Sequence, residues 1–248
     1  MKKNYWLPLS LALILILSAT FAYAAGKPLL RVGTDATYAP FETIDKDGNY
    51  VGFDMEFIKM VADEMGMELK LMNIGWDGII PGLMNGNYDC LISAMTITAE
   101  RKKQINFSTP YFSIKQAIVV KDNNNSIKGP EDLIGKTISV QNGTTGDLYA
   151  SDIKNIKMKR FDTNPQAIQE LLNNNADAAV MDDLVAFDSV KNNKGLKVIE
   201  IQKIDQEDYG IGIKKGNDKL LDKINNAIEA LKKNGKLEAL VAKYKSGR

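Results

Sequence analysis

The chain has 248 residues, a formal net charge of +1, 44% hydrophobic residues, one cysteine and no histidine. The near-neutral charge argues against nucleic acid as a partner, and a single cysteine excludes an intrachain disulfide. Without histidine the chain can form neither a Ser-His-Asp or Cys-His catalytic set nor a histidine-ligated metal site. We also predict no other catalytic residues, no metal and no cofactor.

The N-terminus has the features of a secretory signal peptide, which we assign to residues 1–24. Lys2 and Lys3 form a basic start, an apolar core covers 7–17, and Ala22-Tyr23-Ala24 fits an A-x-A cleavage site. The alternative is a membrane helix, but the apolar run is too short to span a bilayer. No cysteine lies at the cleavage junction, so we predict a periplasmic protein without a lipid anchor.

The first half of the remaining chain alternates between strands and helices. Apolar runs predict strands at 30–32, 69–72 and 89–93, and apolar residues at helical spacing predict helices at 57–65 and 79–85. Such βαβαβ alternation favours a parallel sheet with helices on its faces.

The second half repeats this plan. Strands are predicted at 116–120, 138–140 and 178–181, with helices through 148–149 and from 164 onwards, where Asn164-Pro165 is a typical helix entry. Two further amphipathic helices, 220–231 and 237–244, need an apolar surface to cover, most economically that of the first unit.

The predicted fold class is therefore α/β, with two lobes, each a mostly parallel sheet with helices on both faces. We assign residues 25–114 and 208–248 to lobe 1 and residues 115–207 to lobe 2. The chain then crosses between the lobes twice, near 113–116 and 206–211. Ligands of such folds bind between the lobes, outside the carboxyl ends of the strands.

The stretch from Ser93 to Arg101 follows the third predicted strand and has two interpretations. Arg101 presents a planar fork of N–H donors that pairs bidentately with a carboxylate, and the hydroxyls of Ser93 and Thr96 could complete such a clamp. Alternatively, Thr98 caps a helix and Arg101 is solvated. These residues alone do not decide between the two.

Other polar and aromatic residues also follow strand ends, and together they suit a zwitterion. Arg101 and the turn at Thr144 and Thr145 would hold an α-carboxylate, and Asp182 would hold an α-ammonium group. Tyr38 and Trp76 would then enclose the side chain. Each assignment has an alternative: the two aromatics could be packing residues, and the threonines and Asp182 could be helix caps.

The chain resembles the extracytoplasmic solute-binding proteins of polar amino acid ABC importers, the group that includes the histidine-, lysine/arginine/ornithine- and glutamine-binding proteins. The resemblance covers essentially the whole mature chain. It is carried by an ordered set of motifs: Gly33-Thr34-Asp35, Tyr38-Ala39-Pro40-Phe41, Gly52-Phe53-Asp54, Trp76-Asp77-Gly78-Ile79-Ile80-Pro81, Thr96-Ile97-Thr98-Ala99-Glu100-Arg101, Phe107-Ser108-Thr109-Pro110-Tyr111 and Gly143-Thr144-Thr145-Gly146.

This resemblance implies a periplasmic-binding-protein fold, with two lobes that close on a ligand around a hinge. It also implies that Arg101 binds an α-carboxylate, that Asp182 binds an α-ammonium group and that Asp35 faces a polar group of the ligand side chain. The predicted ligand-binding set is Asp35, Tyr38, Trp76, Ser93, Ala94, Met95, Thr96, Arg101, Thr144, Thr145 and Asp182. Ala94 departs from relatives that have serine there, so one hydroxyl contact is missing.

The implied function is capture of a free polar L-amino acid, with glutamine or arginine favoured and lysine or histidine possible, by a monomer that docks on a membrane permease. The alternative is an enzyme resembling cyclohexadienyl dehydratases. Those relatives carry a glutamate three residues after the acid that matches Asp182, whereas this chain has Val185, which cannot donate a proton.

Overall fold

The computed structural model describes residues 26–246, so the predicted signal peptide lies outside the described residues. Within this range the chain alternates strands and helices, as the apolar patterns predict. No helix of the described range is both long and apolar enough to cross a membrane.

The sheet of lobe 1 gathers strands from both ends of the chain. It contains β1 (Leu29–Thr34), β5 (Glu68–Asn73), β6 (Cys90–Leu91), β7 (Ile105–Phe107) and β15 (Gly212–Lys214), in the order β5-β1-β6-β15-β7. β1 pairs in parallel with β5 and β6, whereas β15 is antiparallel to both β6 and β7. All strands except β15 therefore point the same way, and the prediction of a mostly parallel sheet is confirmed.

The sheet of lobe 2 has the same plan. It contains β9 (Gln116–Lys121), β10 (Thr137–Gln141), β11 (Lys157–Phe161), β12 (Ala178–Asp182) and β13 (Leu196–Glu200), in the order β11-β10-β12-β9-β13. Here β9 is the strand that runs against the others. The repeated plan read from the sequence is thus a repeated strand order.

Two short strands connect the lobes. β8 (Phe112–Ile114) pairs antiparallel with β14 (Glu207–Tyr209), and Glu207 lies opposite Ile114. β9 follows β8 along the chain and β15 follows β14, so each reversed strand is the one that enters its sheet after a crossing. The crossings lie where they were predicted, and the lobe boundaries at 114/115 and 207/208 remain a prediction.

Eight α-helices cover the sheets of residues 26–246. They are α1 (Phe53–Glu64), α2 (Trp76–Asn85), α3 (Ala99–Gln104), α4 (Thr145–Ser151), α5 (Asn164–Leu172), α6 (Asp183–Asn192), α7 (Asp218–Lys233) and α8 (Lys236–Lys245). The two C-terminal helices, α7 and α8, both pack against α1 of lobe 1, as predicted from their amphipathic pattern. A 3-10 helix, Pro130–Leu133, precedes β10.

A small sheet and an aromatic cluster join lobe 1 to the crossing strands. The sheet consists of β2 (Thr37–Tyr38), β3 (Glu42–Ile44) and β4 (Tyr50–Val51). Phe41, between β2 and β3, lies edge-on to Phe112 at 5.0 Å and to Tyr209 at 5.1 Å. Such pairs add to the stabilisation from burial, so the cluster fixes β2 against both crossings.

Cys90 provides a test of how firmly the lobe 1 sheet stays closed. The residue is fully buried on β6, and burial raises the pKa of its thiol far above the ordinary value. Because the thiolate is the reactive form, we expect no reaction of the native protein with Ellman's reagent, and one thiol per chain after unfolding in guanidinium chloride. Rapid labelling of the native protein would show that β6 opens.

Candidate functional site

One cavity lies where the carboxyl ends of the two sheets face each other. It is lined by ten of the eleven predicted site residues and by two further residues, Glu42 and Gln141. The ten are Asp35, Tyr38, Trp76, Ser93, Ala94, Thr96, Arg101, Thr144, Thr145 and Asp182. They come from both lobes, so the cavity is an interlobe site.

Met95 is the predicted residue that the structure places elsewhere. It is fully buried and packs in a hydrophobic cluster with Ile79 and Leu83 of α2. The chain turns at Ala94, whose φ of 44° is unusual for a residue with a side chain. This turn presents Ala94 and Thr96 to the cavity while the side chain of Met95 packs in the core.

Thr98 caps a helix, as one interpretation of this motif predicts, but Arg101 is buried at the cavity and not solvated. Thr98 caps α3 by accepting a hydrogen bond from the Arg101 backbone N–H at 3.2 Å. The guanidinium is nevertheless buried, and it donates to the carbonyls of Thr96 at 2.9 Å and Gly143 at 3.2 Å. These bonds use two of its five donors, so donors remain for a ligand carboxylate.

The two aromatic residues play different parts in the cavity wall. The Arg101 guanidinium carbon lies 5.1 Å from the centre of the Trp76 ring, within cation–π range, so Trp76 orients the cation. Tyr38 instead donates its hydroxyl to Asp182 of lobe 2 at 2.6 Å. Tyr38 therefore joins the two lobes as well as lining the cavity.

Asp182 is the acid that lobe 2 contributes to the cavity. It stands at the N-cap position of α6, but its side chain makes no capping bond. The carboxylate instead accepts from Tyr38, from Tyr209 and, at 2.6 Å, from the Gln116 amide. Burial raises the pKa of Asp182 to about 6, although the bonds from Tyr209 and Tyr38 oppose the rise. An ammonium group would favour the charged carboxylate.

The turn before α4 supplies the lobe 2 wall. Gly143 adopts a left-handed conformation, φ 70°, and its N–H donates to Asp147 at 3.0 Å. Thr144 caps α4 by accepting from the Asp147 N–H, so its predicted capping role holds. Thr145 lies 3.4 Å from Thr96, oxygen to oxygen, across the interlobe gap.

The far end of the cavity is rich in acceptors. Asp35 lies there and accepts from Thr37 at 3.0 Å and, at 3.4 Å, from Gln141. Burial raises the pKa of Asp35 above its usual value. The side-chain oxygens Oε2 of Glu42 and Oε1 of Gln141 are buried and have no hydrogen-bond partner among the residues that the structure describes. A ligand with several N–H donors would satisfy these oxygens.

Ser93 connects these groups. Its hydroxyl accepts from the Asp35 N–H at 3.0 Å and donates to Glu42 at 2.9 Å. Despite the carboxylates, no three histidine, cysteine or acidic residues within 26–246 are placed to hold a metal ion.

The lobes touch across the site, and little space is left between them. The cavity holds about 10 Å³, the volume of about one water molecule. Thr96 and Thr145 also line an outer groove of about 900 Å³ between the lobes. A ligand must therefore part the lobes and replace contacts such as Tyr38–Asp182 with its own.

Four residues that complete the site were missed by the sequence analysis: Glu42, Gln116, Gln141 and Tyr209. Gln116 begins β9, and its amide nitrogen lies within 3.2 Å of Asp182, Thr145 and Glu207. Gln141 ends β10, so the rule that strand ends face the crevice could have found it. Glu42 and Tyr209 do not follow strands of the two main sheets, and only the tertiary packing brings them to the site.

The sequence profile of the bacterial extracellular solute-binding proteins, family 3, matches residues 30–247. Among curated relatives, the L-cystine-binding protein TcyJ of Escherichia coli (strain K12) is 35% identical over 217 residues, which is 87% of this chain and 82% of that protein.

Solved structures agree with this match. An ancestral arginine-binding protein was solved with glutamine and with arginine, at 44% and 43% identity and a TM-score of 0.84 in both cases. These alignments cover 88% of this chain and 98% and 99% of those chains. The ancestral amino acid-binding protein AncCDT-1, described as a precursor of cyclohexadienyl dehydratase, has 39% identity and a TM-score of 0.82, covering 92% of this chain and 99% of its own.

Proposed function

The chain belongs to the bacterial extracellular solute-binding proteins of family 3, and we propose that it captures a polar L-amino acid between its lobes and delivers it to the permease of an ABC importer. The observation that carries the proposal is a pair of opposite charges in one interlobe cavity. Arg101 of lobe 1 and Asp182 of lobe 2 are both buried there. These charges match those of a zwitterion.

The main-chain groups of the ligand would lie between these two residues. Arg101 offers free N–H donors to the α-carboxylate, and the hydroxyls of Thr96 and Thr145 stand nearby. Asp182 accepts the α-ammonium group, which replaces donors such as Tyr38. A buried charge needs a partner, so both ends of the zwitterion are recognised together only when the lobes close.

The side chain would extend towards Asp35, and we favour arginine. Asp35, Glu42 and the unpaired oxygen of Gln141 together offer more acceptors than donors. A guanidinium group has five donors and matches a carboxylate bidentately. Glutamine has fewer donors and leaves the acids without a cation. The relatives named above bind cystine, arginine or glutamine, so the family alone does not select the ligand.

A thermal-shift screen with the twenty amino acids tests the proposal. Ligand that binds only the folded state raises the melting temperature, and we expect arginine to raise it most. If none of the twenty changes the melting temperature, and calorimetry also detects no binding, the proposed function is wrong.

Replacing Asp35 with asparagine tests the side-chain assignment. We expect Asp35→Asn to weaken arginine binding by about tenfold or more, because a charged partner is lost from a buried site, and to leave glutamine binding nearly unchanged. Isothermal titration with both ligands measures this ratio. Asp45→Asn, at an exposed turn of lobe 1, serves as the matched control. Equal losses for both ligands would contradict the assignment.

The proposed cycle of ligand capture and delivery involves no covalent reaction. Ligand bound to both lobes stabilises the closed form by its higher affinity for that form. The closed monomer then docks on the permease at the membrane. The proposed location is the periplasm, reached through cleavage of residues 1–24.

The second candidate is an enzyme related to the dehydratases, which the likeness to AncCDT-1 brings forward. Val185 is fully apolar and buried on α6, so it supplies no general acid one turn after Asp182. Incubating the protein with prephenate or arogenate and measuring the loss of the substrate decides between the two candidate functions. We expect no turnover.

A further inference from the structure

Behind the cavity wall, two carboxyl groups are held by consecutive residues, because Ser93 donates to Glu42 and the Ala94 N–H donates to Asp54. Glu42 and Asp54 are both fully buried, Glu42 on β3 and Asp54 in the first turn of α1. Neither carboxyl group forms a salt bridge within residues 26–246. Two neighbouring carboxylates cannot both stay ionised in such surroundings, because each disfavours the charge of the other.

The other contacts of the pair point to the same protonation state. Asp54 accepts from the Ala94 N–H at 2.6 Å and from the Tyr111 hydroxyl at 2.9 Å, and Glu42 accepts from Ser93 at 2.9 Å. Glu42 Oε2 and Asp54 Oδ1 have no hydrogen-bond partner within the described residues. Each carboxyl group therefore has one oxygen on which a proton can reside.

The titratable groups that face the pair are acids and phenols. Asp35 acts on Glu42, Tyr38 is adjacent to Glu42, and Tyr111 and Tyr244 face Asp54. Burial raises the pKa of Asp54 to about 7, and burial together with the Asp54 charge raises the pKa of Glu42 well above its usual value. Both shifts favour a protonated carboxyl group in the pair.

Glu42 differs from Asp54 in that it also lines the ligand cavity, beside Asp35. We propose that Glu42 and Asp54 share one proton while the site is empty, and that a ligand with a cationic side chain expels this proton to the solvent when it binds. The inference rests on the proposed amino acid binding. Its physical basis is that a nearby cation favours the ionised form of a carboxyl group, whereas a neutral side chain does not.

This proton makes Glu42 a determinant of specificity. With the proton in place, the pair has one negative charge and lies against the wall formed by Ser93 and Ala94. Without it, the pair presents two negative charges to the far end of the cavity. Arginine would select the second state, and glutamine or citrulline would leave the first in place.

Titration calorimetry of the wild-type protein in buffers of different ionisation enthalpy measures how many protons are released when the ligand binds. At pH 8 we expect arginine to release on the order of half a proton more than citrulline, a neutral ligand of the same shape. Proton exchange by Asp182, whose pKa is about 6, and by the α-ammonium group is common to both ligands, so it cancels in the comparison. Equal proton release for the two ligands overturns the proposal while leaving the proposed function intact. Absence of heat with any amino acid overturns the proposed function itself.

The Glu42→Gln variant tests whether the released proton comes from the Glu42–Asp54 pair. The amide donates to Asp54 in place of the shared proton, so the variant has no proton to release. We expect arginine binding by this variant to release fewer protons than in the wild type, and the rise of arginine affinity between pH 7 and 9 to disappear. In the wild type this rise can reach about tenfold per pH unit for one whole proton.

Glu64→Gln, at an exposed position on the same helix as Asp54, is the control and should behave as wild type. Unchanged proton release in Glu42→Gln would overturn the assignment. If Glu42→Gln does not fold, the comparison of arginine with citrulline in the wild type still decides; if citrulline does not bind, arginine binding by Glu42→Gln decides.

Discussion

Replacing Arg101 with alanine is expected to weaken amino acid binding by about 100-fold or more. Truncating one partner of a buried, hydrogen-bonded charge pair costs about 2–5 kcal/mol, much of it because the other charge stays buried without a partner. In the proposed complex that other charge is the α-carboxylate, and among residues 26–246 the lining of the cavity holds no cation besides Arg101. Isothermal titration with arginine and with glutamine measures the loss, which should be similar for both ligands.

Two further variants separate the clamp from general effects of charge. Arg101→Lys keeps the positive charge but loses the planar fork and its stacking on Trp76, so it should recover only part of the affinity. Arg31→Ala removes an arginine that pairs with Asp89 at 2.7 Å near the surface of the same lobe, and should bind like the wild type. Wild-type affinity in a folded Arg101→Ala protein would refute the clamp.

The sequence analysis located residues of the cavity where their placement depends on position along a strand. Asp35, Ser93 and Asp182 were placed at the cavity because each follows or ends a strand, and parallel strands end at one edge of a sheet. The crossings were predicted from the two amphipathic C-terminal helices, which need the surface of the first lobe to cover. Local patterns are enough for such features, because the pattern and the position belong to the same segment.

The rest depended on contacts between distant segments. Tyr38 was predicted as a wall for the ligand side chain, but its hydroxyl bonds Asp182, which is 144 residues away. Met95 was placed in the site because its neighbours lie there, and the turn at Ala94 sends its side chain into the core. Buried polar groups choose partners by geometry, which spacing alone does not provide.

Replacing Asp182 with asparagine is expected to weaken binding by a similar amount, about 100-fold. The variant removes the negative charge that faces the α-ammonium group but preserves the shape of the side chain. Its amide oxygen can still accept from Tyr38 or Tyr209, so the fold should survive. Asp222→Asn, at an exposed position on α7, is the control. A folded Asp182→Asn protein with wild-type affinity would exclude Asp182 as the ammonium partner.

The pH dependence gives this prediction a second readout. Because the folded pKa of Asp182 is raised to about 6, its contribution to stability is fully present below the unfolded value of about 3.8 and is lost as the pH rises through 6. Binding of an ammonium group next to Asp182 offsets this loss of stability, because the ammonium group favours the charged carboxylate. Wild-type affinity for glutamine, which is neutral in its side chain, should therefore fall as the pH drops below 6, and the ligand-induced rise in melting temperature should be larger at pH 7 than at pH 5. Asp182→Asn has no carboxylate to titrate, so its residual affinity should change much less across the same range.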